Sequence, residues 1–289
     1  MIDRKLRVGT WNILGRQRHH DSRVADDGAV YDTLADTRTD ILCLQEVHFY
    51  DGEVEAQLRS ELRAAGLSYF VGAPLSPSHL DEEAQLGVGI AARFPLQRPS
   101  TRALSNPGLR ANVRGQEWEL HDKGLIGTQV RLSPGVQFNV YSLHLFPFFE
   151  FGADDRADHV DKMWRELWDV VDGHNEHLPT ILAGDYNRAD RADAAAEFSR
   201  VGWNFCASGV PTTATGLSLD DIALNWAPGT CTRQVIQTFS DHHLVLAEID
   251  MSRPPCAGDQ VVRENRDAIM PIMSTPSRLS DVGGAPRHR

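Results

Sequence analysis

The sequence predicts a layered α/β or α+β domain, with helices lying outside a central pair of sheets. Two observations carry this. Short runs rich in Val, Ile and Leu recur along the chain, each of strand length and each bounded by turn residues. Between them lie segments whose apolar residues follow helical spacing.

In chain order, the predicted strands are LRVGTWNI (6–13), DILCLQEV (40–47), LSYFVG (67–72), LGVGIAARF (86–94), GLIGTQVRL (124–132), VQFNVYSLHLF (136–146), PTILAGDYN (179–187), LDDIALNW (219–226), RQVIQTF (233–239) and HHLVLAEID (242–250). A first helix is predicted over 52–66, where Val54, Leu58 and Leu62 align and Gly66 supplies a stop. A second spans 155–177, its stripe made of Val160, Met163, Trp164, Leu167, Trp168 and Val171, which reads as core packing. RADRADAAAEF (188–198) begins another helix.

Residues 95–121 resist periodic reading. Arg98, Arg102, Arg110 and Arg114 stand there with little acid, which suits either a long loop or irregular hairpin facing an anion, or a solvated loop. Beyond residue 250 the chain is rich in Pro, Gly, Ser and Arg, so the expected division is a single domain over 1–250 and a disordered tail over 251–289.

Composition narrows the function. With 41% hydrophobic residues in 289, a sizeable core is affordable. No segment approaches the roughly 20 apolar residues a membrane span requires, and the expectation is a soluble, monomeric, cytoplasmic protein. Cys43, Cys206, Cys231 and Cys256 show no Cys-x-x-Cys spacing and suggest neither a disulfide framework nor a zinc site. A net charge of −11 argues against non-specific coating of nucleic acid, although a local cleft or bound metal can still supply positive charge.

The informative pattern is polar residues at strand ends: Asn12, Glu46, His144, Asp185 with Asn187, Asp220 with Asp221, and Asp241 with His242 and His243. One carboxylate at a strand end usually caps a turn. Several together are different, because ends of neighbouring strands lie about 5 Å apart and can converge on one hollow. Glu, Asp and Asn offer hard oxygen ligands for Mg²⁺ or Mn²⁺, and adjacent imidazoles supply proton transfer near neutral pH.

TWNILG, LQEV, SLHL, GDYN, SLDDIAL and SDHHLVL, in that order over residues 6–250, resemble the endonuclease/exonuclease/phosphatase superfamily. The resemblance implies a four-layer α/β/β/α sandwich with a metal site at one edge of two packed, mostly antiparallel sheets. It makes Glu46 the principal Mg²⁺ ligand, Asn12 an auxiliary residue of the metal shell and Asp241 a metal-site acid. Asp185 orients or deprotonates the attacking water, and Asn187 contacts that water or the phosphate. His242 acts as base or phosphate donor with Asp220 as its carboxylate partner, and His144 steadies a phosphate oxygen or the leaving group.

Strand alternation allows only one residue of Asp220–Asp221 to face the site, leaving Asp221 at the surface. Likewise His243 is expected to be structural and His48 an exposed loop residue. Apurinic endonucleases of the superfamily carry an acid where this chain has Leu14, and lack the His144 motif, which argues against abasic-site repair. The implied chemistry is metal-dependent phosphoester hydrolysis, first on nucleic acid and alternatively on a small inositol phosphate, nucleotide or phospholipid headgroup. Phe146, Phe148, Phe149 and Phe151 either stack a base, grip a lipid or an apolar substrate, or pack the following helix against the sheet. An inactive scaffold is the remaining alternative, and it conflicts with every matched position being filled.

Overall fold

The computed structural model describes residues 5–251, apart from 22, 114, 153–157, 175–177, 189–190 and 207–209. The predicted tail over 251–289 therefore lies, beyond Met251, outside the described residues. Among them, no helix is long and apolar enough to cross a membrane.

The strands are β1 (Lys5–Asn12), β2 (Ile41–Tyr50), β3 (Glu53–Val54), β4 (Tyr69–Pro77), β5 (Gln85–Ala92), β6 (Leu96–Ala103), β7 (Arg110–Val113) and β8 (Gln116–Glu119). They continue with β9 (Gly124–Ser133), β10 (Val136–His144), β11 (Thr180–Asp185), β12 (Asn204–Phe205), β13 (Asp220–Leu224), β14 (Cys231–Ile236) and β15 (Leu244–Asp250). The helices are α1 (Ala29–Leu34), α2 (Ala56–Ala64), α3 (Asp158–His174) and α4 (Arg191–Arg200). One sheet runs β14-β15-β1-β2-β5-β4 with β3 beside β2; the other runs β12-β13-β11-β10-β9-β6. Each holds one parallel pair, β1 with β2 and β10 with β11, among otherwise antiparallel neighbours.

Alternation along β2 shows why its apolar run is nearly continuous. Ile41 and Cys43 point inward, joining Val8, Ile90, Val140, Ile181, Ile222 and Val245 between the sheets. Leu42 and Leu44 point outward, under Val30 and Leu34 of α1 and Leu58 and Leu62 of α2. A strand covered on both faces has little room for polar residues. The second sheet repeats the pattern, with Tyr141, Leu143 and Leu182 facing Trp164, Leu167 and Trp168 of α3 and Phe198 of α4. Three apolar layers thus separate four layers of structure, the α/β/β/α sandwich.

Several expectations need correcting. Part of 95–121 is regular: β6 is an edge strand, and β7 and β8 form a hairpin. Arg110 pairs with Glu117 and Glu119 and Arg102 acts on Glu166, so these two arginines have acidic partners within the protein, while Arg114 lies outside the described residues. Of the readings open for the aromatic loop, packing holds for Phe146 and Phe148, which are buried under α3. The cysteines are not all unpaired: Cys206 at the end of β12 and Cys231 on β14 form a disulfide, their Cα atoms 5.7 Å apart. Its partners are edge elements of opposite sheets, a proximity created only by the sandwich and invisible in their spacing.

Candidate active site

Strand direction gathers the polar ends at one edge. β1, β10 and β11 finish there, which places Asn12, His144 and Asp185 after their apolar runs, and Glu46 reaches the same edge from within β2, 3.9 Å from His144. β13 and β15 run the other way, so Asp220, Asp241 and His242 stand at or before the start of theirs. Within the second sheet, His144 is in register with Asp185 and Asp185 with Asp220, a row across three adjacent strands.

Asp185 is the hub. Its Oδ2 lies 3.2 Å from Asn12 Nδ2, 3.4 Å from His144 Nε2 and 3.7 Å from His242 Nε2, and its Oδ1 accepts the Asn187 backbone N–H at 2.9 Å. Burial and the nearby Asp220 push the Asp185 carboxyl up to about 7 against the opposing pull of His242. His242 turns Nδ1 to Asp220 Oδ2 at 2.8 Å. Burial opposes the His242 charge, but Asp220, Asp185 and Asp241 together hold the imidazolium well above its ordinary range. His144 moves the other way: burial, then Lys123 and His242, push it well down, so one histidine is cationic and the other neutral.

Glu46 reaches the site through a distortion. The outward residues of β2 are Leu42 and Leu44, then Val47 and Phe49, so the alternation slips by one at Glu46. There the pairing with β5 shifts and Glu46 takes φ +51, as a bulge re-aims the carboxylate toward the sheet edge. Its Oε2 is buried with no hydrogen-bond partner. Burial alone would raise this carboxyl; Lys123, His79, His242 and an Asn12 hydrogen bond hold it below its ordinary value. The charges of Glu46 and Asp241 both act on His79.

Asn12 is steadied by an unusual turn. Its Oδ1 accepts the Leu14 N–H at 3.1 Å, and Leu14, Gly15 and Arg16 all take left-handed φ, of 49, 55 and 61°. A Cβ on Gly15 would fall 2.4 Å from the His48 ring. His48 is accordingly buried, bonded to Ser78, and not the exposed loop residue expected. Asp221 is likewise buried rather than at the surface, with Arg233 3.8 Å away. Asn187 lies past the end of β11 at φ +49, so a left-handed turn rather than strand alternation brings it back beside Asp185. Its Nδ2 donates to Leu145 O at 2.9 Å.

Lys123, absent from the sequence-based set, enters by the same logic as Asp220. It precedes β9, whose Gly124 is in register with His144, and its Nζ lies 3.0 Å from His144 Nε2 and 4.0 Å from Glu46 Oε1. Burial pushes this ammonium down while Glu46 and Asp185 support its charge. A polar residue before an apolar run was the available signal. Thr212 is the other omission: fully buried, it donates Oγ1–H to Asp220 Oδ2 at 2.7 Å and accepts the Leu219 and Asp220 N–H groups. Nothing in the sequence around it marks that role.

Asp185, Asp220 and His242 offer ligand atoms within 4.8 Å of one another. Within this group His242 hydrogen-bonds Asp220 and stands 3.7 Å from Asp185, whereas Glu46, with Asn12 and Asp241 nearby, supplies an oxygen-rich donor set and a buried orphan oxygen that a hard divalent cation fits.

The profile of the Endonuclease/Exonuclease/phosphatase family matches residues 9–242, and the chain belongs to that family, whose members are phosphoesterases. No match is found among curated proteins. Among solved structures it is similar to an endonuclease/exonuclease/phosphatase from Beutenbergia cavernae at 18% identity, TM-score 0.66, covering 87% of this chain and 72% of that one. It is also similar to the human Nocturnin catalytic domain with bound sulfate anion, at 17% identity, TM-score 0.55, covering 85% and 94%. D. rerio TDP2 complexed with single strand DNA product matches at 17% identity, TM-score 0.53, covering 86% and 99%.

Proposed function

We propose that residues 1–250 form a Mg²⁺- or Mn²⁺-dependent phosphodiesterase acting on nucleic acid. The observation that carries the reading is the Asp185 hub, with a cationic His242 on one side and the unpartnered oxygen of Glu46 on the other. Glu46, Asn12 and Asp241 would hold the metal, which when bound neutralises a phosphoryl oxygen and eases departure of the leaving oxygen.

The chain's own groups do the rest. Asp185, with its carboxyl near 7, is basic enough to take a proton from water at neutral pH, and the Asn187 N–H fixes the orientation of its carboxylate. His242, kept charged by Asp220, donates from Nε2 to a phosphoryl oxygen as negative charge grows there. Neutral His144 donates one ring N–H toward the leaving group, and Lys123 supplies a fixed positive charge among the acids. Asn187, anchored to Leu145, offers its second amide hydrogen to the phosphate.

The single-strand DNA product held by the TDP2 relative supports nucleic acid as substrate. The net charge of −11 favours the second reading, a small phosphoester. Divalent-metal-dependent turnover measured in parallel on plasmid DNA, single-stranded DNA, RNA and a panel of phosphomonoesters tests both, with Asp185→Asn as the blank. Nucleic-acid cleavage absent from the blank is the expected result; turnover of monoesters alone would replace the first reading with the second.

A further inference from the structure

A row of rings leads outward from the proposed phosphate site. His121, two residues before Lys123, stacks on His79 with centroids 5.1 Å apart and planes 26° apart. His79 in turn lies 6.1 Å from Trp118. His79 and His121 line the same hollow as Glu46, Lys123 and His144. The turn carrying His79 is tied by Ser78 Oγ, which accepts the Leu80 and Asp81 N–H groups and bonds His48, and Trp118 sits on β8 of the β7–β8 hairpin.

Trp118 also stands apart from the other tryptophans. Trp11, Trp164, Trp168, Trp203 and Trp226 are all buried, whereas Trp118 is 38% exposed. A large ring left half in water beside an active site forgoes burial that a ligand can restore.

We propose that Trp118, His79 and His121 form a stacking subsite for a nucleobase attached to the phosphate held at Lys123 and Glu46. The ring row favours this ligand over the other phosphoester classes. A polyol such as inositol has no flat π face to set against it. An acyl chain would need continuous apolar surface, but the flanks carry exposed Asp122, Glu117 and Glu119. Every base has such a face, and stacking on aromatic side chains tolerates any sequence. The inference rests on the phosphoesterase reading, and moves base contact away from the buried Phe146 and Phe148.

The test is binding without turnover. Full-length Asp185→Asn protein with Mg²⁺ is titrated with adenosine 5′-monophosphate and with ribose 5-phosphate, following tryptophan fluorescence and equilibrium dialysis. The nucleotide should bind about tenfold more tightly than the sugar phosphate and quench fluorescence, the modest end of what one stacked base contributes. Trp118→Ala or His79→Ala, added singly and checked for an unchanged melting temperature, should erase most of that difference. Trp118→Phe should restore affinity without the quench. Equal affinity for the two ligands, or a silent Trp118→Ala, overturns the subsite. The two proposals fail separately: wild-type hydrolysis without base preference removes only the subsite, and base-dependent quenching without hydrolysis of any phosphoester removes only the activity.

Discussion

His242 Nδ1 and Asp220 Oδ2 are 2.8 Å apart, and the far side of the same ring faces Asp185. The imidazole is thus held by one carboxylate and aimed by its other nitrogen at the place where water and phosphate must meet. Asp220 is held in turn by Thr212, so ring orientation is set through a chain of buried hydrogen bonds.

Asp220→Asn removes the charge that holds His242 cationic. The His242 pKa should fall toward its ordinary value near 6.5, and the alkaline limb of the pH–rate profile should move to lower pH. A kcat loss of about 100-fold or more is expected, in the range for a positioned proton-transfer group. Histidine NMR titration and the pH profile check it. An unmoved His242 with lowered kcat would mean that Asp220 acts by other means.

Gly184→Ala tests the meeting of β10 and β11. Gly184 is in register with Leu143, and a Cβ there would lie 2.1 Å from Leu143 O. Close backbone approach within the parallel ladder is what requires glycine. The strands cannot separate without disturbing His144 and Asp185 one residue on. Denaturant unfolding should show a loss of about 2–3 kcal/mol; a stability change under 0.5 kcal/mol, within the range usual for neutral surface changes, would contradict the packing.

How much of this the sequence shows depends on burial. Strands such as β2, β10 and β11 are covered on both faces, so ILCL, NVYSL and TILAG stand out as apolar runs with polar ends. β6, LQRPSTRA, is an exposed edge strand with Pro99 within it, and its alternation carries no apolar signal. Asn12, Glu46, Asp185 and His242 were legible because they end or begin buried runs. Lys123 stood in an equivalent position, but its role follows from pairing with the His144 strand. Thr212, the Glu46 bulge and the Cys206–Cys231 pair depend on contacts between distant segments, which no local pattern encodes.

Reduction of Cys206–Cys231 should lower stability without abolishing the site. The bond closes a loop with a sequence separation of 25 and ties β12 to β14. Chain entropy gives a stabilisation of about 3 kcal/mol for such a loop. Cys206→Ser/Cys231→Ser, or wild type in dithiothreitol, should melt about 6 °C or more below the oxidised protein. Identical melting curves, with thiol titration confirming reduction, would show that the link adds nothing to the fold.

Asp185→Asn should stabilise the metal-free protein at alkaline pH. In the folded chain the carboxyl titrates near 7, raised by burial and Asp220; unfolded, it titrates near 4. Between those values the unfolded chain has released a proton that the folded one retains, so stability declines as pH rises from about 4 to about 7, then levels off. Asn cannot titrate and escapes that cost, while losing part of the hydrogen bonding from Asn12 and the Asn187 N–H. With metal removed by a chelator, the variant should gain about 1–2 kcal/mol over wild type at pH 8, a melting rise of about 3 °C or more. The gain should shrink toward pH 5. A variant less stable than wild type at both values would mean that the buried carboxylate is satisfied without metal, and that the hub stores no charge strain for a cation to relieve.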